Sequence, residues 1–305
     1  MPTPRFGAVI TAMVTPFDAD GGLDLDAAVT LARWLADHGS DGLVLAGTTG
    51  EGPVLSDAER LDLFRAVAEV VTVPVLAGTG SNDTAHSVEL TRAAAGTGVD
   101  GVLVVTPYYN RPSQTGLFTH FAAVAAATDL PVVLYDIPVR SGRRIAQATL
   151  LRVLSHAANV VAVKDATGDP AGAARLLCHA PDGFELYSGD DALTLPLLSV
   201  GAVGLVSVAS HWAGVELGRM IAAHGDGEVE QARHLNARLV ESYDFESSEE
   251  FPNPLPAKAA CRALGLAVGQ CRSPMGTAPP ELDGEAYRVL MRLGVLGTAV
   301  GGSVG

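Results

Sequence analysis

Eight short apolar runs recur along the chain, and their spacing limits the possible folds more than any other feature of the sequence. Consecutive runs end between 20 and 33 residues apart, which leaves room for one helix and two turns between each pair. The runs are almost continuously apolar rather than alternating, as parallel strands covered on both faces are. Eight such βα units predict an α/β protein that forms a closed (β/α)8 TIM barrel. The runs end at Met13, Ala46, Gly78, Val105, Tyr135, Lys164, Ser188 and Val208.

Helix signals lie between the strand runs and continue after the last of them. Ser56 and Glu59 form a capping box in front of an apolar helical segment. After about Val215 helical periodicity persists without a further strand run, and Pro and Gly divide it into three helices. We therefore expect a catalytic (β/α)8 barrel over residues 1–227, a C-terminal helical region over 228–296 and a flexible tail over 297–305.

Charge and cysteine usage argue against several classes of partner. Lys and Arg number 20 against 34 Asp and Glu, and the formal net charge of −14 disfavours binding to nucleic acid or to an anionic membrane. Three cysteines without a CxxC pair are not a disulfide framework, so a cytoplasmic location is expected. We expect no signal peptide at the N-terminus, and Pro and Gly interrupt the uncharged stretch 192–210, which argues against a membrane span.

Polar residues at the ends of the strand runs are the candidates for a functional site. In a barrel of this kind, catalytic groups lie at the carboxyl ends of the strands and in the loops that follow them. All the candidates fall at that one end of the predicted barrel. They are Thr48, Thr49, Tyr108, Tyr109, Tyr135 and Lys164.

Lys164 stands out because 18 of the 20 basic residues are arginine. It follows the apolar run Val160–Val163, where burial favours a neutral amine, and a neutral amine is a nucleophile. The alternative is a strand-end lysine that reaches solvent or pairs with Asp165. The other lysine, Lys258, is expected on a helix as a solvated or ion-pairing residue.

Three further groups near Lys164 suit a reaction on a carbonyl compound. A hydroxyl at Tyr135, on the neighbouring strand, can donate and accept a proton, although a core tyrosine is the alternative. Arg140 follows in the next loop and can bind a carboxylate, unless it is an ordinary surface arginine. The turn Gly47–Glu51 can hold a small carboxylate with its hydroxyls and N–H groups, or simply connect a strand to a helix.

Five motifs along the chain occur in the order and spacing of one known family. They are GTTGE (47–51), TPYYNRPSQTGL (106–117), LYDIPVRSG (134–142), VKDATG (163–168) and YSGDD (187–191). Through them the chain resembles the dihydrodipicolinate synthase family, in the pyruvate-dependent class I aldolase superfamily that also contains N-acetylneuraminate lyase. The resemblance extends from about Gly7 to about Leu293.

The resemblance implies an enzyme that condenses pyruvate with L-aspartate-4-semialdehyde in lysine and diaminopimelate biosynthesis. It implies a homotetramer and no organic cofactor, because the pyruvate is held covalently as an imine. The resemblance implies that Lys164 forms the imine and that Thr48, Tyr135 and Tyr109 form a proton relay, with Tyr109 donated by a neighbouring subunit. It also implies that Thr49 binds the pyruvate carboxylate, that Arg140 binds the semialdehyde carboxylate, and that Val206 and Gly189 line the pyruvate pocket.

Two other functions stay open on the sequence. A sister aldolase would use the same Lys164 imine on a 2-keto-3-deoxy sugar acid, but such a polyhydroxylated substrate needs hydroxyl partners in the loop where Arg140 offers a carboxylate clamp. A catalytically silent paralogue would be expected to lack Lys164, Tyr135 or Tyr109, and all three are present. Gly52, where most relatives have Ser, leaves the packing of the loop after GTTGE open. The choice between tetramer and dimer is also open.

Feedback by lysine is expected to be absent. Lysine-inhibited relatives hold the ligand at a subunit interface, and of the matching positions here only Asn82 and Tyr108 keep the residue that the pocket needs. His86 replaces a carboxylate, and Arg60 adds a positive charge where a cationic ligand would approach. The positions are Gly52, Pro53, Asp57, Arg60, Asn82, His86 and Tyr108.

Overall fold

Eight parallel strands close into a barrel in the computed structural model, which describes residues 4–246 and 248–296. Each strand pairs with its neighbours in chain order, and β8 returns to pair with β1. The predicted (β/α)8 barrel is therefore confirmed, with each predicted run ending close to an observed strand end. The strands are β1 Val9–Ala12, β2 Gly42–Leu45, β3 Val75–Gly78, β4 Gly101–Val105, β5 Val132–Asp136, β6 Val160–Asp165, β7 Glu185–Ser188 and β8 Gly204–Ser207.

Helices follow the strands and then continue alone to the end of the described chain. The capping box is present at α2, where the Ser56 N–H donates to Glu59 at 2.8 Å and the Glu59 N–H donates to Ser56. The helices are α1 Leu25–Asp37, α2 Asp57–Ala68, α3 Thr84–Ala95, α4 Gln114–Ala125, α5 Pro138–Ser141, α6 Gln147–His156, α7 Pro170–Leu177, α8 Thr194–Leu198, α9 Ser210–Gly225, α10 Val229–Phe245, α11 Leu255–Ala263 and α12 Pro280–Leu293.

Apolar side chains form two separate cores. The larger lies between the strands and the surrounding helices, and the smaller fills the interior of the barrel from Phe6 at one end to Tyr135 and Ile137 at the other. Because the interior is packed, a small molecule can be held only above it, at the carboxyl ends of the strands. Among the described residues, no helix has the length and apolarity needed to cross a membrane.

The C-terminal helices, predicted as a separate region, pack back onto the barrel. After α11 the chain passes so close to Phe17 that a Cβ at Gly269 would lie 2.0 Å from the Phe17 carbonyl oxygen, and Gly269 also has a positive φ of 64°. Lys258 on α11 is fully buried and forms an ion pair with Glu51 at 2.7 Å. Of the two expected alternatives, solvated or ion-pairing, the structure therefore shows the ion pair. The predicted tail, 297–305, lies outside the described residues.

Candidate active site

Lys164 and Tyr135 face each other in register on adjacent strands at the carboxyl end of the barrel. They are direct partners in the pairing of β5 with β6, and the Lys164 Nζ lies 4.3 Å from the centre of the Tyr135 ring. Both residues are buried. The two side chains that the sequence singled out for carbonyl chemistry therefore meet in one place.

The Lys164 amine is more acidic than an ordinary lysine. Burial lowers the pKa of Lys164 from 10.5 to about 8, although the charges of Asp191 and Glu246 oppose this decrease. At pH 7 a pKa of about 8 leaves about a tenth of the amine neutral, about 300-fold more than a pKa of 10.5 would. Among the described residues Lys164 makes no ion pair that would hold the proton in place. The amine is thus available as a nucleophile near neutral pH.

The Tyr135 hydroxyl is held in its protonated form. Burial raises the pKa of Tyr135 to about 12, and a hydrogen bond with the Thr48 side chain acts in the opposite direction. A protonated phenol linked to a second hydroxyl can pass a proton along the pair without carrying a charge. Two of the three predicted relay residues therefore lie close enough to interact within one chain.

A cavity of about 350 Å³ opens above these residues. Gly189 borders it, and a Cβ there would approach the Cγ and Cε of Lys164 to 3.0 Å, so glycine leaves the space that the lysine chain occupies. The volume suits a substrate of a few carbon atoms rather than a large ligand. The cavity is lined by Thr48, Thr49, Tyr135, Ile137, Val139, Arg140, Lys164, Ala166, Gly189, Asp190, Ala192, Val208, Tyr243, Glu246 and Asn253.

A loop of the C-terminal region connects two of the predicted binding residues. The Asn253 side-chain amide donates to the Thr49 hydroxyl at 2.9 Å, and the Arg140 guanidinium donates to the Asn253 carbonyl at 3.3 Å. Thr49 is buried, whereas Arg140 is exposed at the mouth of the cavity. The guanidinium is thus placed to meet a carboxylate that enters from solvent.

Two predicted site residues do not reach this cavity within the single chain. Val206 is buried in the barrel interior, in the same apolar cluster as Tyr135, and Val208 lines the cavity instead. Tyr109 is 89% exposed and has a left-handed backbone with φ 71°. The preceding Tyr108 turns inward to a second cavity.

That second cavity, about 220 Å³, adjoins the first and contains the Arg60 side chain. Arg60 is buried and donates to the Gly52 carbonyl oxygen at 2.5 Å. Burial lowers the pKa of Arg60 despite the opposing effect of Asp57. The carboxylate of Asp57 is engaged at 2.9 Å by the ring of His86. The positive charge of Arg60, which the sequence predicted for the lysine-binding position of relatives, therefore lies at this second cavity.

Reasoning from the sequence missed four polar residues of the cavity wall, Asp190, Tyr243, Glu246 and Asn253, and the buried Asp191, whose charge acts on Lys164. Asp191 is buried and accepts hydrogen bonds from the Ser207 hydroxyl and, at 3.0 Å, from the Val208 N–H. The motif YSGDD contains Asp190 and Asp191, so a signal for these two was present. Tyr243, Glu246 and Asn253 come from the C-terminal region, and no local pattern marks them.

A packed eight-stranded parallel barrel with a buried, weakly basic lysine beside a tyrosine is an arrangement that suits a lyase. Comparison with known proteins places the chain within this class. Residues 5–291 match the dihydrodipicolinate synthetase family, and the chain belongs to that family.

Two curated relatives and one solved structure each match this chain over almost its whole length. A 4-hydroxy-tetrahydrodipicolinate synthase of Moorella thermoacetica is 49% identical over 294 residues, covering 96% of this chain and all of the relative. Synthase 2 of the same name from Streptomyces coelicolor is 50% identical over 285 residues, covering 92% and 94% of the two chains. The solved dihydrodipicolinate synthase of Cyanidioschyzon merolae, with lysine bound, has a TM-score of 0.93 at 42% identity, covering 96% of this chain and all of the other.

Proposed function

We propose that the protein condenses pyruvate with L-aspartate-4-semialdehyde to give 4-hydroxy-tetrahydrodipicolinate, through an imine on Lys164. The observation that carries the proposal is the buried Lys164 amine, free of an ion pair among the described residues and directly opposite Tyr135. The names of the relatives support the choice of substrates. The covalent imine supplies the chemistry, so no organic cofactor enters the proposal.

Each step of this reaction has a group beside it in the cavity. The neutral Lys164 amine attacks the ketone carbon of pyruvate, and loss of water leaves an imine, with the pyruvate carboxylate at Thr49. Removal of a methyl proton gives an enamine, whose carbon attacks the aldehyde. Tyr135 and Thr48 move the protons that these steps require. The amino group of the second substrate then closes the ring on the imine carbon and releases Lys164.

The second substrate and the quaternary structure complete the proposal. Arg140, at the mouth of the cavity, binds the semialdehyde carboxylate. Tyr109, strongly exposed on its own chain, enters the relay of a neighbouring subunit in a homotetramer. Val206 supports the pyruvate pocket from below rather than lining the open cavity. Three cysteines, none of them in a disulfide, support a cytoplasmic location.

Trapping with pyruvate and borohydride, followed by peptide mass spectrometry, tests the imine. We expect an adduct on Lys164 in the wild-type protein and none in Lys164→Arg, because arginine stays protonated. An adduct on Lys258 would contradict the mechanism. Product analysis with L-aspartate-4-semialdehyde and, separately, with a 2-keto-3-deoxy sugar acid then tests the substrate. Trapping of pyruvate without use of the semialdehyde would leave the imine in place and refute the condensation.

A further inference from the structure

Asn253 lies in the segment between α10 and α11 and reaches the candidate active-site cavity from outside the barrel. It is only 7% exposed, and it lines that cavity. Hydrogen bonds on both sides fix the backbone of the segment. The Ser248 N–H donates to the Phe251 carbonyl at 3.1 Å, and the Leu255 N–H donates to the Pro252 carbonyl at 3.1 Å. The segment therefore presents the Asn253 side chain at a defined position.

The C-terminal region holds the turn Gly47–Glu51 at two points. The buried pair of Lys258 with Glu51 fixes the end of the turn at 2.7 Å. The side-chain amide of Asn253 donates to the Thr49 hydroxyl at 2.9 Å, near the middle of the same turn. Because the turn and the region are tied together twice, the position of Thr49 relative to Asn253 is fixed.

The contact with Asn253 determines where the Thr49 hydroxyl can send its proton. A hydroxyl has one proton to donate and two lone pairs that accept. The Asn253 amide occupies a lone pair, and no other group of the described residues forms a hydrogen bond with this hydroxyl. Thr49 lines the cavity, so its proton is available to a molecule bound there. A carboxylate, which can only accept, is the partner that such a donor suits.

The backbone of the same residue contacts the group proposed for the second substrate. The Arg140 guanidinium donates to the Asn253 carbonyl oxygen at 3.3 Å. We propose that Asn253 is a positioning residue for both substrates: its side-chain amide directs the Thr49 hydroxyl toward the pyruvate carboxylate, and its backbone carbonyl holds Arg140 at the mouth of the cavity. The assignment rests on the proposed function. Because a side-chain substitution removes the first contact and keeps the second, the two roles can be separated.

Substitution of the Asn253 side chain should weaken pyruvate selectively. In Asn253→Leu we expect the pyruvate concentration for half-maximal borohydride trapping to rise about three- to ten-fold, as for loss of one neutral hydrogen bond. The KM for L-aspartate-4-semialdehyde and kcat, both at saturating pyruvate, should change less than about two-fold. Asn253→Asp is nearly isosteric, but its carboxylate accepts, so it draws the Thr49 proton away from the substrate. This variant should weaken pyruvate about ten-fold or more, as for loss of a charge-assisted hydrogen bond.

A double-variant cycle and a neutral analogue distinguish this role from a merely structural one. Once Thr49→Val has removed the hydroxyl, adding Asn253→Leu should weaken pyruvate by less than about two-fold more. In the Thr49→Ser background, which keeps the hydroxyl, Asn253→Leu should have its full effect. Methyl pyruvate has the same ketone without the negative charge. The preference for trapping pyruvate over methyl pyruvate should therefore decrease in Asn253→Asp.

A matched control and three outcomes decide the matter. Asn236→Leu makes the same substitution on α10, at a half-buried position outside the cavity lining, and should leave all these constants unchanged. Equal weakening of pyruvate and semialdehyde in Asn253→Leu, or its full effect in the Thr49→Val background, would overturn the assignment and leave the imine standing. Unchanged pyruvate affinity in Asn253→Asp, which also serves if the leucine variant does not fold, would show that the hydroxyl donates to this side chain and would overturn it as well. Failure of the wild-type protein to trap pyruvate would instead refute the proposed function, and the assignment with it.

Discussion

Breaking the buried ion pair between Glu51 and Lys258 should destabilise the fold more than breaking any exposed pair of the described residues. The two charged atoms lie 2.7 Å apart, and the side chains are only 2% and 1% exposed. Lys258 also donates to the Gln270 carbonyl at 2.8 Å and lies 4.1 Å from the centre of the Phe17 ring. Replacing Lys258 with Met leaves the Glu51 carboxylate buried, with a hydrogen bond from the backbone N–H of Arg272 but no cation beside it.

Removal of one partner from a buried ion pair costs about 3 to 5 kcal/mol, because the other charge is left uncompensated. With an unfolding entropy of about 2.1 cal/mol/K per residue, a chain of this size should lose about 5 to 8 °C in Tm. The double variant Glu51→Gln/Lys258→Met removes both charges and should recover a large part of the loss. Thermal and urea unfolding of the two single variants and the double variant, at one protein concentration, measure this coupling.

The exposed pair Arg65 and Asp62 is a matched control within the same chain. Its atoms are 2.9 Å apart, but the side chains are 55% and 57% exposed, so Arg65→Met should cost about 0.5 kcal/mol or less. Lys258→Met should also reduce kcat/KM, because Glu51 has a left-handed backbone at the end of the turn that carries Thr48 and Thr49. If Lys258→Met were no more destabilising than Arg65→Met, or if the double variant showed no recovery, the reasoning would be refuted.

Four further outcomes are expected. The rate of pyruvate trapping should rise with pH up to about pH 8 and then level off, as the Lys164 amine loses its proton; a rise continuing to pH 10 would contradict the lowered pKa. Arg140→Ala should raise the KM for the semialdehyde about ten-fold or more with little effect on trapping, and equal loss of both would contradict its role. Inactive Lys164→Ala and Tyr109→Phe proteins, mixed under subunit exchange, should regain some activity if Tyr109 crosses an interface, which a rate assay of the mixture checks. L-Lysine at submillimolar concentration should leave the rate unchanged because buried Arg60 repels it, and inhibition would show that the pocket is misread.

The barrel could be predicted from the sequence because its signal is local. Each strand is buried on both faces, so each appears as a short apolar run regardless of what it contacts. The register of the barrel then brings Tyr135 beside Lys164, and the order of strands alone was enough to expect this. The short helices α5 and α8, of 4 and 5 residues, left no periodicity to read.

The residues that the sequence did not reveal are those whose role depends on distant partners. Asn253 contacts Thr49 across 204 positions of the chain, and Glu246 enters a cavity built from other elements. Lys258 was expected to be solvated or ion-paired because helical periodicity cannot say which neighbour covers a given face. The partner that covers it, Glu51, belongs to the turn Gly47–Glu51, which the sequence suggested as a binding loop or as a connection between strand and helix.

The two lysines show why burial alone does not make a nucleophile. Burial lowers the pKa of both Lys164 and Lys258, so desolvation acts in the same direction on each. Lys258 meets a carboxylate at 2.7 Å and a carbonyl at 2.8 Å, and these contacts favour the protonated form. Lys164 lies over an aromatic ring; of the two carboxyls that act on it, Asp191 accepts a hydrogen bond from Val208, and burial raises the pKa of Glu246 well above its ordinary value. The difference between a structural cation and a reactive amine in this chain therefore comes from the partner that the fold supplies: a carboxylate at 2.7 Å for Lys258 and an aromatic ring for Lys164.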